Sequence, residues 1–131
     1  SALLDDYEEG VFTVTNSGSV NWASGYDILQ YIKIGNMVFI SGEVECDTGS
    51  GSARITNLPF TVADLGETAG TGVGAFFAHE WDSGSGVGTG CKATEGTTTL
   101  ELLVMRDNNS MWEMQGDNGA KGHISLMYRT T

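Results

Sequence analysis

His79 and His123 are the only histidines in the chain, and with them ends the supply of side chains that ordinarily exchange protons near neutral pH. Neither lies near a G-x-S-x-G elbow or beside a cysteine in a reactive setting, so no nucleophile is matched with a base. Carboxylates are plentiful. Glu80 with Asp82, and Glu43 with Glu45, stand two apart and would share one face of a strand, which makes them the acid/base candidates for glycoside hydrolysis. A solvated strand edge explains the same spacing, and seventeen Asp and Glu in 131 residues produce such pairs by chance. Asp107-Asn108-Asn109 lacks both the ligand spacing and the distal Glu of a calcium loop. The glycine run from Gly84 to Gly90 has no Lys-Ser/Thr ending and opens no helix, so it is no phosphate cradle. Cys46 and Cys91 are too few for a disulfide framework or a structural zinc site. Cys46 shares a strand face with Val38, Ile40 and Val44 and reads as a buried free thiol, with a Cys46–Cys91 bridge left open. The expectation is a protein without catalysis, cofactor or metal.

Binding is better served. Trp22, Trp81, Trp112 and Tyr26 flank turn-forming segments, where a large, stiff, half-apolar ring can stack on a sugar or anchor an interface. Trp81 leads into a glycine-rich segment with His79, Asp82 and Ser83 nearby, which makes it the first contact candidate. Trp112, beside Arg106, Asn108 and Asn109, is the second. The competing reading places each tryptophan in the core or a subunit contact, and both histidines in structural roles.

The formal charge of −11, with only six Lys and Arg, removes the clustered cations that nucleic acids and anionic membranes require. No apolar run approaches the ~18 residues of a membrane span, and no basic segment precedes an apolar one, so neither a transmembrane helix nor a signal peptide is expected.

Nineteen glycines, one proline and many β-branched residues favour short strands and tight turns over helices. Tyr26–Ile34, Gly35-Asn36 and Met37–Cys46 form the clearest pattern: two apolar alternations joined by a two-residue turn whose leading glycine suits type II′. Further strands are expected over Gly10–Thr15, Val20–Trp22, Ala53–Asn57, Val73–Trp81, Thr97–Arg106, Met111–Met114 and His123–Arg129. Asp82–Gly90 reads as a mobile loop. Thr61–Thr71 reads as a loop or a single helical turn. Residues 1–10 form an acidic leading segment, and 11–131 a single domain. About eight to ten strands at this spacing suggest an all-β antiparallel sandwich, jelly-roll-like, with the final strand inside a sheet. Several strands carry apolar residues on both sides, among them Phe39 opposite Val38, Phe77 opposite Phe76, and Met105 opposite Val104. A neighbouring subunit or a larger core would cover the second side.

Leu4-Asp5-Asp6-Tyr7-Glu8-Glu9-Gly10, followed by Phe12-Thr13, resembles the L-D-D-Y-E-E-G-x-[WF]-T segment of bacteriophage fibre and tail proteins. There it introduces a carboxy-terminal β domain. Tyr31-x-Lys33-Ile34-Gly35-Asn36-x-Val38, then Gly42, then Ile55-x-x-Leu58-Pro59-Phe60, and finally Gly122-x-Ile124-Ser125-x-x-Tyr128-Arg129-Thr130 follow in the same order, over nearly the whole chain. Val14 stands where many relatives have proline, Ile28-Leu29-Gln30 replaces a short serine/glycine lead-in, and Phe76–Lys92 matches nothing in that family. The resemblance implies a virion protein made in the host cytoplasm, a homotrimeric knob at a fibre or tail tip, and no enzyme. Its implied partners are the rest of a fibre or tail upstream and a host-surface polysaccharide or outer-membrane protein. The alternatives are a purely structural head-fibre, baseplate or capsid-decorating domain, or an enzyme or free carbohydrate-binding module.

Overall fold

A computed structural model of the chain describes residues 6–15, 19–81, 86–107 and 110–131. They form ten strands and no helix: β1 (Tyr7–Thr13), β2 (Val20–Trp22), β3 (Ile28–Ile34), β4 (Met37–Gly49), β5 (Arg54–Ile55), β6 (Gly72–Phe77), β7 (Gly86–Ala93), β8 (Leu100–Arg106), β9 (Trp112–Glu113) and β10 (Lys121–Arg129). All pair antiparallel in the order β1-β3-β4-β10-β6-β7-β8-β5, with β2 added on β4 and β9 on β8. The expected all-β antiparallel class is the one that forms.

The β3–β4 hairpin takes the expected register, Ile34 opposite Met37. Gly35 has φ of 58° while Asn36 has no positive φ, as a type II′ turn requires. Beyond the turn the period of two holds. Val38, Ile40, Val44 and Cys46 are buried, and Phe39 stands out on the other side. Strand β10 lies between β4 and β6 and alternates strictly, with Ile124, Leu126 and Tyr128 inward. The Tyr128 hydroxyl donates to the Phe60 carbonyl at 2.8 Å, so the ring is buried without stranding its polar end. Gly122 is needed where it stands, because a Cβ there would lie 2.5 Å from the Phe76 ring.

The two ends of the strand order are tied together by one side chain. Asn57, two residues past β5, donates to the Thr13 carbonyl at 2.8 Å and accepts from the Thr15 N–H at 3.0 Å. Buried side chains from β2, β3, β4, β5, β6, β7, β8 and β10 join one apolar cluster.

Several expectations change. Strand β1 starts at Tyr7, so Glu8 and Glu9 pair with β3. The strand expected over Val73–Trp81 stops at Phe77. The stretch expected as a loop over Asp82–Gly90 is strand from Gly86 on, the first half of β7, since antiparallel pairing with the strongly apolar β8 supplies what its own side chains lack. Thr61–Thr71 holds no helical turn. Its tight turns at Glu67 and Thr68, both at positive φ, are held by the Glu95 carboxylate, which accepts from the N–H groups of Gly70 (2.6 Å) and Leu65 (3.1 Å).

Both cysteines are free and buried. Burial pushes the Cys91 thiol up to about 12, and burial likewise raises Cys46.

Candidate functional site

Trp81, the first contact candidate, is only 6% exposed and lies in the core. The strand phase that would have carried it outward breaks in the turn after Phe77. His79 N–H donates to the Phe77 carbonyl (3.1 Å) and Glu80 N–H to the Lys121 carbonyl (3.3 Å), and the chain then drops Trp81 into the core. There its ring meets Phe76 edge-on at 5.5 Å and Trp22 at 6.2 Å, and its indole N–H donates to the Gln115 carbonyl at 2.8 Å. Trp22 is equally buried, so it too is corrected from contact to core. Asp82, Ser83, Asn108 and Asn109 lie outside the described residues.

Trp112 is different. It is 58% exposed and borders a depression of about 480 Å³ lined with Ser52, Glu113 and Gln115. The Arg106 guanidinium lies 3.6 Å from the indole ring centre and donates through Nε to the Ser110 carbonyl at 3.1 Å, which fixes one side of the ring. Arg54 donates to Glu113 from two guanidinium nitrogens, Nε at 2.9 Å. Burial acts to raise the Glu113 pKa, but hydrogen bonds from Arg54 and Ser52 outweigh it and leave the group below its ordinary value. A ring, a hydroxyl, an amide and a fixed carboxylate around one hollow suit a polyhydroxylated ligand: the ring stacks on C–H faces, and the polar groups take up hydroxyls. Tyr26 is exposed elsewhere, with the Lys121 ammonium 5.2 Å from its ring centre.

His79 joins a group that spacing along the chain did not reveal. Glu43 on β4 pairs with His123 on β10, and His123 with Phe77 on β6, so the three lie in one cross-strand row. His79 folds back over that row. Its Nε2 lies 3.3 Å from Glu43 Oε1, while His123 Nε2 lies 3.4 Å from Glu43 Oε2. The two imidazole centres are 5.2 Å apart, and Phe77 stacks on His79 at 5.9 Å and 19°.

The same side of the sheet carries an apolar band. Ile32 pairs with Phe39, and Phe39 with Met127. Val11, Ile28, Val73 and Phe77 are further exposed apolar side chains on this side, Val73 69% and Phe77 66% exposed, with Gln30, Ser41, Ser125, Glu43 and His123 standing in the rows of Val11 and Phe77. Among the two-sided pairs noted in the sequence, Phe39, Phe77 and Met105 stand outward, and Val38, Phe76 and Val104 are buried.

No helix among the described residues is long and apolar enough to cross a membrane. Comparison with protein-family models, curated proteins and solved structures finds no match for the chain.

Proposed function

We propose that this chain is a virion domain, a knob of a bacteriophage fibre or tail tip, that attaches the particle to a carbohydrate on the bacterial surface. The observation that carries the reading is Trp112: a solvent-open indole, braced by Arg106, beside a hollow with a hydroxyl, an amide and a carboxylate. The fibre-like motifs from Leu4 to Thr130 supply the setting. The outward apolar side chains support a homotrimer in which sister copies cover them: Phe39, Val73, Phe77 and Met127 all stand out on one side of the sheet, 41 to 69% exposed. Three copies of a weak sugar site then act together as one adhesive surface. In this reading the ten-stranded sheet folds on itself as a jelly-roll-like sandwich. The single apolar cluster and the Asn57 link between the ends of the strand order both favour that arrangement.

Fluorescently labelled protein should adsorb to cells of susceptible bacteria and to isolated surface polysaccharide, and W112A should lose at least ten-fold in adsorption while keeping its fold. Equal adsorption by W112A would remove the site. The second reading, a structural virion domain without receptor contact, is favoured by the exposed apolar side chains Phe39, Val73, Phe77 and Met127, which call for a cover rather than a sugar. It expects stable oligomers with no adsorption at all.

A further inference from the structure

The chain's two histidines come from distant segments, yet both turn their Nε2 atoms to one carboxylate. We propose that Glu43, His79 and His123 bind a divalent transition-metal ion of the zinc class. One ligand atom from each residue can be chosen so that all three lie within 4.8 Å of one another. A tetrahedral ion with bonds of ~2.0–2.2 Å needs ligand atoms on the order of 3.4 Å apart. Each imidazole nitrogen stands at that separation from one oxygen of the Glu43 carboxylate, His79 Nε2 at 3.3 Å from Oε1 and His123 Nε2 at 3.4 Å from Oε2, so the carboxylate lies between the two rings with one oxygen turned to each.

The ligands are also held in place. Glu43 and His123 are register partners on β4 and β10. His79 sits between two anchored neighbours: Phe77 stacks on its ring, and Trp81 is locked into the core by its bond to Gln115. Lys121, the neighbouring cation, is engaged with Glu80 at 3.8 Å and with the Tyr26 ring. Two imidazoles and one carboxylate select zinc, nickel, cobalt or copper over magnesium and calcium, which prefer all-oxygen shells. In the single chain, side-chain exposures of 27% for His79, 28% for Glu43 and 53% for His123 give the ion a route in and leave a fourth coordination position, open to water or to a group of a sister chain packed over Phe77. The competing use of the same contacts is a pair of ordinary histidine–carboxylate ion pairs, which needs no metal.

The test is titration of the full chain, stripped with a chelator, with Zn²⁺ by calorimetry and with Co²⁺ by visible absorption. One ion per chain is expected, with Co²⁺ bands of a low-coordinate nitrogen/oxygen site and no competition from Mg²⁺ or Ca²⁺. H79A, H123A and E43Q should each weaken binding by about ten-fold or more, and H79A/H123A should abolish it. Binding that is absent in the unaltered chain, or unchanged in these variants, overturns the proposal. A reading independent of the variants comes from imidazole ¹H–¹⁵N spectra of the unaltered chain. Both Nε2 signals should move at the same Zn²⁺ stoichiometry, and movement of one or neither refutes a shared site.

Discussion

At the scale of single residues, three tryptophans in similar sequence settings have two kinds of surroundings. Trp22 and Trp81 fill the core and Trp112 faces water, so truncation should separate the roles. W81A removes a buried indole and strands the Gln115 carbonyl. It should cost about 3–5 kcal/mol in denaturant unfolding, whereas W112A should leave the unfolding midpoint nearly unchanged and act on adsorption alone. The thiols give another residue-scale expectation. With Cys91 pushed up to about 12 by burial and Cys46 also raised, neither should react with a thiol reagent at pH 8 until the chain unfolds, when both should react. Rapid labelling of the native protein would contradict the core described for β4 and β7.

At the scale of elements, the loop between β5 and β6 depends on Glu95. Its pKa is lowered, first by the N–H of Gly70 and then by that of Leu65. A depressed folded value means the stabilisation is fully present above the ordinary carboxyl value, 4.5, and is lost as pH falls through the lowered folded value. Amide exchange at Leu65 and Gly70 should therefore accelerate in that acid range, and E95A should show the fast exchange at every pH. The Asn57 link is a second element-scale device. N57A leaves a Thr13 carbonyl and a Thr15 N–H without their partner and should destabilise the fold by about 1–2 kcal/mol, read as a lower denaturation midpoint.

These elements also show what the sequence could reveal. The β3–β4 hairpin was legible because its signals are local: a period of two and a glycine at the one position that needs positive φ. Strand β7 was not, because its glycines carry no pattern and its pairing is dictated by β8. Trp81 was misplaced because a turn at Ala78–Glu80 ended the alternation that appeared to continue through it. The Glu43–His79–His123 group depends on β4, β10 and β6 lying side by side, and no spacing along the chain encodes that adjacency.

At the scale of the whole molecule, the acidic charge and the apolar band act in opposition: one keeps chains apart, the other gives them a reason to meet. In the proposed trimer the band is covered, and added salt, by screening the repulsion, should strengthen assembly. Phe39 and Phe77 sit outward on β4 and β6, so F39E/F77E should dissociate the assembly while leaving strand content unchanged by circular dichroism. The most direct measurement is light scattering of the unaltered chain across a dilution series at physiological salt. Three chains per particle, persisting to low micromolar concentration and lost in F39E/F77E, is the expected result; a single chain per particle at every concentration would contradict it.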